Sequence, residues 1–287
     1  MNKNKKSYIR YTVLGSLLPL ICNQAAADVK PDPGDYTALP AGTDLMVFYQ
    51  QHASADNAYS RGSKTTDKLD LTLDVSILRY VHFMQFFNTD YVWNPQIVLP
   101  MGRQRTGLAN SSVTGIGDVI VGGTLYTIAD RTNHEYLGWS AFFTAPTGGH
   151  EDDGFALSNN RWAADFQLAY SRRLAPNVAV DLIAETERYT RKEGSDMDTD
   201  PLYQGHVHLR WLYSPGSEVA LTYRKAWGAD QTGEGIDIGS RNDTTIGLTW
   251  ARFFTKQVQG QIQYFRDINI DEGPKLSSVQ LRVLYAY

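Results

Sequence analysis

From about residue 43 onward the chain repeats one pattern, in which apolar and polar residues trade places at every second position. Leu69, Leu71, Leu73, Val75 and Ile77 alternate with Asp70, Thr72, Asp74 and Ser76. Successive side chains of a strand point to opposite faces, so such a segment has one oily side and one wet side. The same period returns in Trp162, Ala164, Phe166, Leu168 and Tyr170, and in Val178, Val180 and Leu182. It recurs in Tyr203, Val207, Leu209, Trp211 and Tyr213, in Val258, Ile262 and Tyr264, and in Val279, Leu281, Val283, Tyr285 and Tyr287. No long helical period competes with it.

About twelve strands follow, near 43–52, 67–79, 90–100, 117–129, 135–146, 161–174, 178–189, 202–214, 218–228, 243–254, 257–268 and 276–287. Their connections alternate too. Ala175-Pro176-Asn177, Ser214-Pro215-Gly216-Ser217 and Thr255-Lys256 are short turns, whereas 53–66, 101–116, 147–160, 190–201 and 229–242 are long polar loops. Short periplasmic turns, longer outside loops and alternating strands describe an antiparallel up-and-down transmembrane β-barrel. Closing the sheet leaves no unpaired backbone edge in lipid, where each unsatisfied group costs several kcal/mol. Two places fit poorly: residues 80–90 are too apolar for a simple turn, and Pro95 falls inside the third strand although proline cannot donate to the ladder. A bulge, or a strand starting after Pro95, would repair this, and ten or fourteen strands stay open beside twelve.

The first 27 residues read differently. Lys3, Lys5, Lys6 and Arg10 precede an apolar stretch from Tyr11 to Ile21, and Ala25, Ala26 and Ala27 follow, the order of a secretory signal peptide cut after Ala27. Cys22 lacks the small preceding residue that lipidation wants. Removing residues 1–27 leaves 23 basic against 31 acidic side chains, a net charge of −8, and no cysteine. Disulfide stapling and thiol chemistry therefore drop out, and the acidic balance argues against nucleic acid as a partner. Residues 28–42 read either as a periplasmic leader or as a small lumen plug, and residues 43–287 as the barrel.

Aromatic residues, among them Phe48, Tyr49, Trp139, Trp162, Tyr189, Trp211 and Trp250, cluster near predicted strand ends, where interfacial girdles sit. If the apolar faces meet lipid, then Asp70, Asp74, Asp165, Arg173, Asp181, Glu185, His206, His208, Arg210, Arg224, Gln261, Gln263 and Arg282 point into the lumen. Acid and base are expected to pair there across neighbouring strands, because an unpaired charge in a confined interior costs free energy. Twelve strands lie between packed eight-stranded barrels and open porins, so a narrow or blocked lumen is expected.

No catalytic constellation stands out: a GxSxG elbow, an HExxH pair and a phosphate-cradling loop are all missing. His206 and His208 share a strand face, but two imidazoles do not close a zinc site. His134 with Glu135, and His150 with Glu151, Asp152 and Asp153, are the nearest approach to an acid–base site. The expectation is a chain that is not an enzyme, with no metal and no cofactor.

Residues 31–42, PDPGDYTALPAG, lead through Thr43-Asp44-Leu45 into the first strand. Together with Val98-Leu99-Pro100-Met101-Gly102, Gly115-Ile116-Gly117-Asp118 and Ala145-Pro146-Thr147-Gly148, this opening resembles the family named for the meta-pathway of phenol degradation. That family comprises outer-membrane barrels often encoded beside genes for aromatic catabolism. The resemblance implies a channel or transporter in a Gram-negative outer membrane for small hydrophobic or aromatic molecules, and carries over no site residues. The terminal Tyr287 likewise resembles the signal read by barrel-assembly machinery. Expected partners are thus outer-membrane lipid, a small-molecule solute and that machinery. A structural or adhesive barrel whose outside loops bind a partner, and a barrel enzyme, are the alternatives.

Overall fold

The alternating segments hydrogen-bond into one sheet that closes on itself. The computed structural model describes residues 30–108, 110–149, 157–158, 160–191, 197–233 and 236–287. The expected signal peptide, and the His150–Asp153 cluster, lie outside those residues. Twelve strands form the wall: β1 Asp44–Ala55, β2 Leu71–His82, β3 Val92–Thr106, β4 Val119–Asp130, β5 Glu135–Ala145, β6 Ala163–Ala175, β7 Val178–Tyr189, β8 Leu202–Ser214, β9 Ser217–Gly233, β10 Ile236–Phe253, β11 Val258–Asn269 and β12 Ser277–Ala286. Each pairs antiparallel with its chain neighbours, and β1 pairs with β12 from Leu45↔Ala286 to Ser54↔Ser277. Reciprocal backbone bonds of 3.0 Å between Asp44 and Tyr287 finish the seam. Among the described residues no helix is long and apolar enough to cross a membrane; the strands make the crossing.

Sequence and structure differ at one of the long polar loops that the sequence predicts. Residues 229–233 and 236–242 continue the ladder instead, as parts of β9 and β10, strands of 17 and 18 residues. A 17-residue strand rises about 40 Å at the usual tilt, beyond an apolar band about 25 Å tall, so this pair stands above the lipid. Residues 80–90 split: β2 runs to His82, Phe83 is buried, Met84–Gln85 pairs with Val92 and Trp93, and Phe87 takes a positive φ in the turn. Neither expected repair applies to Pro95, which stays within β3 opposite Gly123. A Cβ at Gly123 would lie 2.7 Å from the Asn94 carbonyl, so glycine lets the strands approach. Here the Asn94 side chain accepts a hydrogen bond from the Thr124 N–H at 2.8 Å.

The outer face carries Phe48, Ile97, Trp139, Phe166, Leu182, Leu209, Leu248 and Leu281, all at least 42% exposed, as a lipid-facing wall requires. Tyr49 and Tyr189, expected in the girdle, turn inward instead: Tyr49 lies under Arg282 and Tyr189 under Arg161. The larger correction concerns β2. Leu71, Leu73 and Val75 are buried on the inner face, while Asp74 points outward beside His52, 2.7 Å away, and near Arg105. Asp70 lies before the strand, exposed, with a positive φ and its carbonyl accepting from Gly107. Asp70 and Asp74 are therefore not lumen residues. A period of two fixes which residues share a face but not which face is inside. At this end of the wall the strand has left the lipid, so its outer side is wet and its inner side packs on Leu157 from the 146–162 connection.

Candidate functional site

The interior is organised around residues 31–38, which lie inside the barrel. Pro33 and Gly34 occupy the central positions of a tight turn closed by the Asp35 N–H donating to the Asp32 carbonyl at 3.1 Å. Gly34 has φ +84°, the left-handed conformation that glycine takes without penalty at this position. Its N–H donates to Asp181 Oδ2 at 2.9 Å, and an added Cβ would lie 2.7 Å from the Arg210 guanidinium. Tyr36 donates to Gln167 Oε1 at 2.5 Å and bonds Ser140 at 2.7 Å, and with Ala38 it packs into the cluster built by Leu45, Val47, Phe83 and Tyr126.

The turn presents Asp32 and Asp35 side by side to two arginines of the wall. Arg79 reaches Asp35 at 3.1 Å; Arg282 reaches Asp35 at 3.1 Å and Asp32 at 3.4 Å. Burial, reinforced by the neighbouring Asp35 charge, pushes the Asp32 carboxyl up to about 6. Burial pushes on Asp35 too, but Arg282 and Arg79 outweigh it and hold that carboxyl below the usual range. Below this layer a vestibule opens toward the short turns, lined by Pro33, Arg173, Arg210, Glu218 and Lys256.

The wall from β6 to β9 is polar and tightly bonded. Arg210 bridges Glu218 at 2.7 Å and Asp181 at 3.5 Å, and Asp181 also accepts from Ser171. Asp165 accepts from Gln167 Nε2. Arg224 Nε donates to His206 Nδ1 at 3.0 Å, so the imidazole proton sits on Nε2, which donates to Glu185 at 2.9 Å. Glu185 also accepts from Gln204, and His208 bonds Thr222 at 2.8 Å. On β11, Gln261 accepts from Arg282, and Gln263 donates to Thr249 and accepts from Gln280. The structure thus places Asp165, Asp181, Glu185, His206, His208, Arg210, Arg224, Gln261, Gln263 and Arg282 inside, with Arg173 part-buried at the vestibule. Asp32, Asp35, Tyr36 and Arg79 were missed. Their signal was the acidic, Gly/Pro-punctuated PDPGD run and an arginine within an otherwise apolar strand, each needing a partner of opposite charge.

Above the plug lies a chamber with two unlike halves. Leu73, Val75, Ile77, Val98, Ile120 and Leu157 make one side oily. Gln204, Arg224, Arg241, Asp243, Asp267 and Gln280 make the other polar. Arg241 pairs with Asp243, and Asp267 accepts from Thr245 and from the Leu276 N–H.

Residues 55–283 match the family described as "Putative MetA-pathway of phenol degradation". The crystal structure of an outer membrane channel from Pseudomonas putida F1 is similar at a TM-score of 0.84 and 32% identity, over 90% of this chain and 100% of that one. The transport unit of the autotransporter AIDA-I from Escherichia coli shares the fold at 0.54 and 10% identity, over 96% and 97%. The translocator domain of the autotransporter NalP from Neisseria meningitidis does so at 0.53 and 10%, over 98% and 97%. None of the curated proteins compared with the chain matches it.

Proposed function

The chain belongs to the MetA-pathway of phenol degradation family and is an outer-membrane β-barrel, and from that premise we propose that it is a channel for small hydrophobic molecules. The observation that carries the reading is the oily half-chamber inside a barrel wall. Water-filled pores are lined by polar side chains. Leu73, Val75, Ile77 and Val98 line the chamber instead, and the apolar surface they leave toward it is covered favourably by an apolar solute, at about 25 cal/mol per Å². A solute of few polar groups gains that area on entering.

The plug supports the same reading. Residues 31–38 fill the middle of the barrel with bonded polar groups, which opposes free diffusion of ions and sugars. The similar crystal structure is of an outer membrane channel, and none of the structures named above is of an enzyme.

Uptake of labelled toluene by intact cells tests this. Cells carrying the protein should take it up faster than cells lacking it, and Val75→Asp, which places a carboxylate on the oily wall, should return uptake to background. Equal uptake with and without the protein would reject the reading, provided that heat-shifted gel migration shows a folded barrel.

A further inference from the structure

The oily half of the chamber accounts for a hydrophobic solute; the polar half does not. An entirely apolar cargo would leave any unpaired polar group of that wall without a partner. Each carboxylate on that side already has partners. Asp243 takes Arg241 and the Asp271 N–H, Asp267 takes Thr245 and the Leu276 N–H, and Asp32 takes Arg282. Arg79 and Arg282 are in turn held by the plug acids.

Arg224 is the exception. It is 8% exposed and lines the chamber, yet among the described residues no carboxylate pairs with it. Its only hydrogen bond there is from Nε to His206 Nδ1 at 3.0 Å, which leaves both terminal nitrogens uncommitted. His206 is itself fixed by Glu185 at 2.9 Å, and Glu185 by Gln204. The chain from Glu185 through His206 to Arg224 orients a guanidinium without neutralising it by direct contact. The same guanidinium lies 5.5 Å from the centroid of the Phe265 ring, which also lines the chamber and offers an apolar shelf beside the charge. An oriented, desolvated arginine with two free N–H-bearing nitrogens suits a carboxylate or another planar anion, which it binds by two parallel hydrogen bonds.

We infer that Arg224 is the head-group site of the chamber and that the preferred cargo is amphipathic: a hydrocarbon or aromatic body against the Leu73–Val75–Ile77 wall and an anionic head on Arg224. This rests on the channel reading and narrows it from hydrophobic molecules in general to hydrophobic organic anions. His206 and Glu185 act as positioning residues for Arg224.

The test uses the full-length mature protein in lipid nanodiscs and two labelled probes with one carbon skeleton, 4-phenylbutyrate and 4-phenylbutan-1-ol. Binding is measured by equilibrium dialysis at pH 8, with empty nanodiscs as background. The wild type should bind the carboxylate more tightly than the alcohol. Arg224→Gln should lower that affinity ratio about tenfold, the order expected for a charge-assisted pair. Arg224→Lys, which keeps the charge but not the fork, should fall between the two. An unchanged ratio in either folded variant, or a wild type that prefers the alcohol, overturns the inference and leaves the channel reading standing. Should the wild type bind neither probe above background, the channel reading fails and this inference fails with it.

Discussion

At the scale of single residues, the plug is held by two acids that respond to pH in opposite ways. Asp35 faces Arg79 and Arg282 together. Replacing it with Asn leaves two buried guanidinium groups short of a counter-charge, which weakens plug seating by about 3 kcal/mol. Single-channel recordings should then show a larger and more frequent open state than in the wild type. Asp32 carries the pH dependence. Its carboxyl is pushed up to about 6 when seated, against 3.8 when free, so the seated plug holds this proton more tightly and acid favours seating. That contribution is full below about pH 4 and is lost as pH rises through 6. Asp35, held low, contributes above the ordinary carboxylate range and loses its contribution only in stronger acid. Conductance should therefore rise as pH goes from 4 to above 6, and Asp32→Asn should flatten the step. The inward residues of β6 to β9, β11 and β12 are legible in the sequence because the alternation is unbroken there. The plug acids are not, because a Pro/Gly-rich leader and a Pro/Gly-rich plug have the same composition.

At the scale of elements, alternation locates strands well and their facing poorly. The β2 pattern was the clearest in the chain, and its inside and outside are the reverse of what lipid facing implied. The cause is height along the barrel axis. Phe48 and Leu78 face lipid, but one pair further up, Gln50 and Ser76 bond each other on the outer wall, followed by His52 and Asp74. Periodicity contains no information on where the lipid ends. Because no cysteine follows Cys22, single cysteines report facing directly. In intact cells Asp74→Cys should react with a membrane-impermeant maleimide at least about tenfold faster than Leu73→Cys, whose parent side chain is 5% exposed. Equal rates, or the reverse order, would return β2 to its sequence-based orientation. Loop lengths misled for a related reason. The polar 229–242 stretch looks like coil, yet β9 and β10 carry on above the membrane, where strand exteriors need not be apolar.

At the scale of the molecule, closure explains how a chain without disulfides holds its shape. The first and last strands pair over ten residues, so no edge remains open to lipid. Inside, the barrel is neither a packed core nor an open pore. A polar plug crosses the middle, and above it an oily wall faces a charged one. The strand number was within reach of the sequence, since short turns and long loops count the hairpins. The oily chamber was not, because Leu73, Val75 and Ile77 belong to the β2 face that alternation assigns to lipid and Leu157 belongs to an expected loop. The most direct measurement sets labelled toluene against labelled arabinose in the same intact cells, with and without the protein in the outer membrane. Toluene uptake should rise with the protein while arabinose uptake stays at background. Faster arabinose with unchanged toluene would contradict a channel built for hydrophobic cargo.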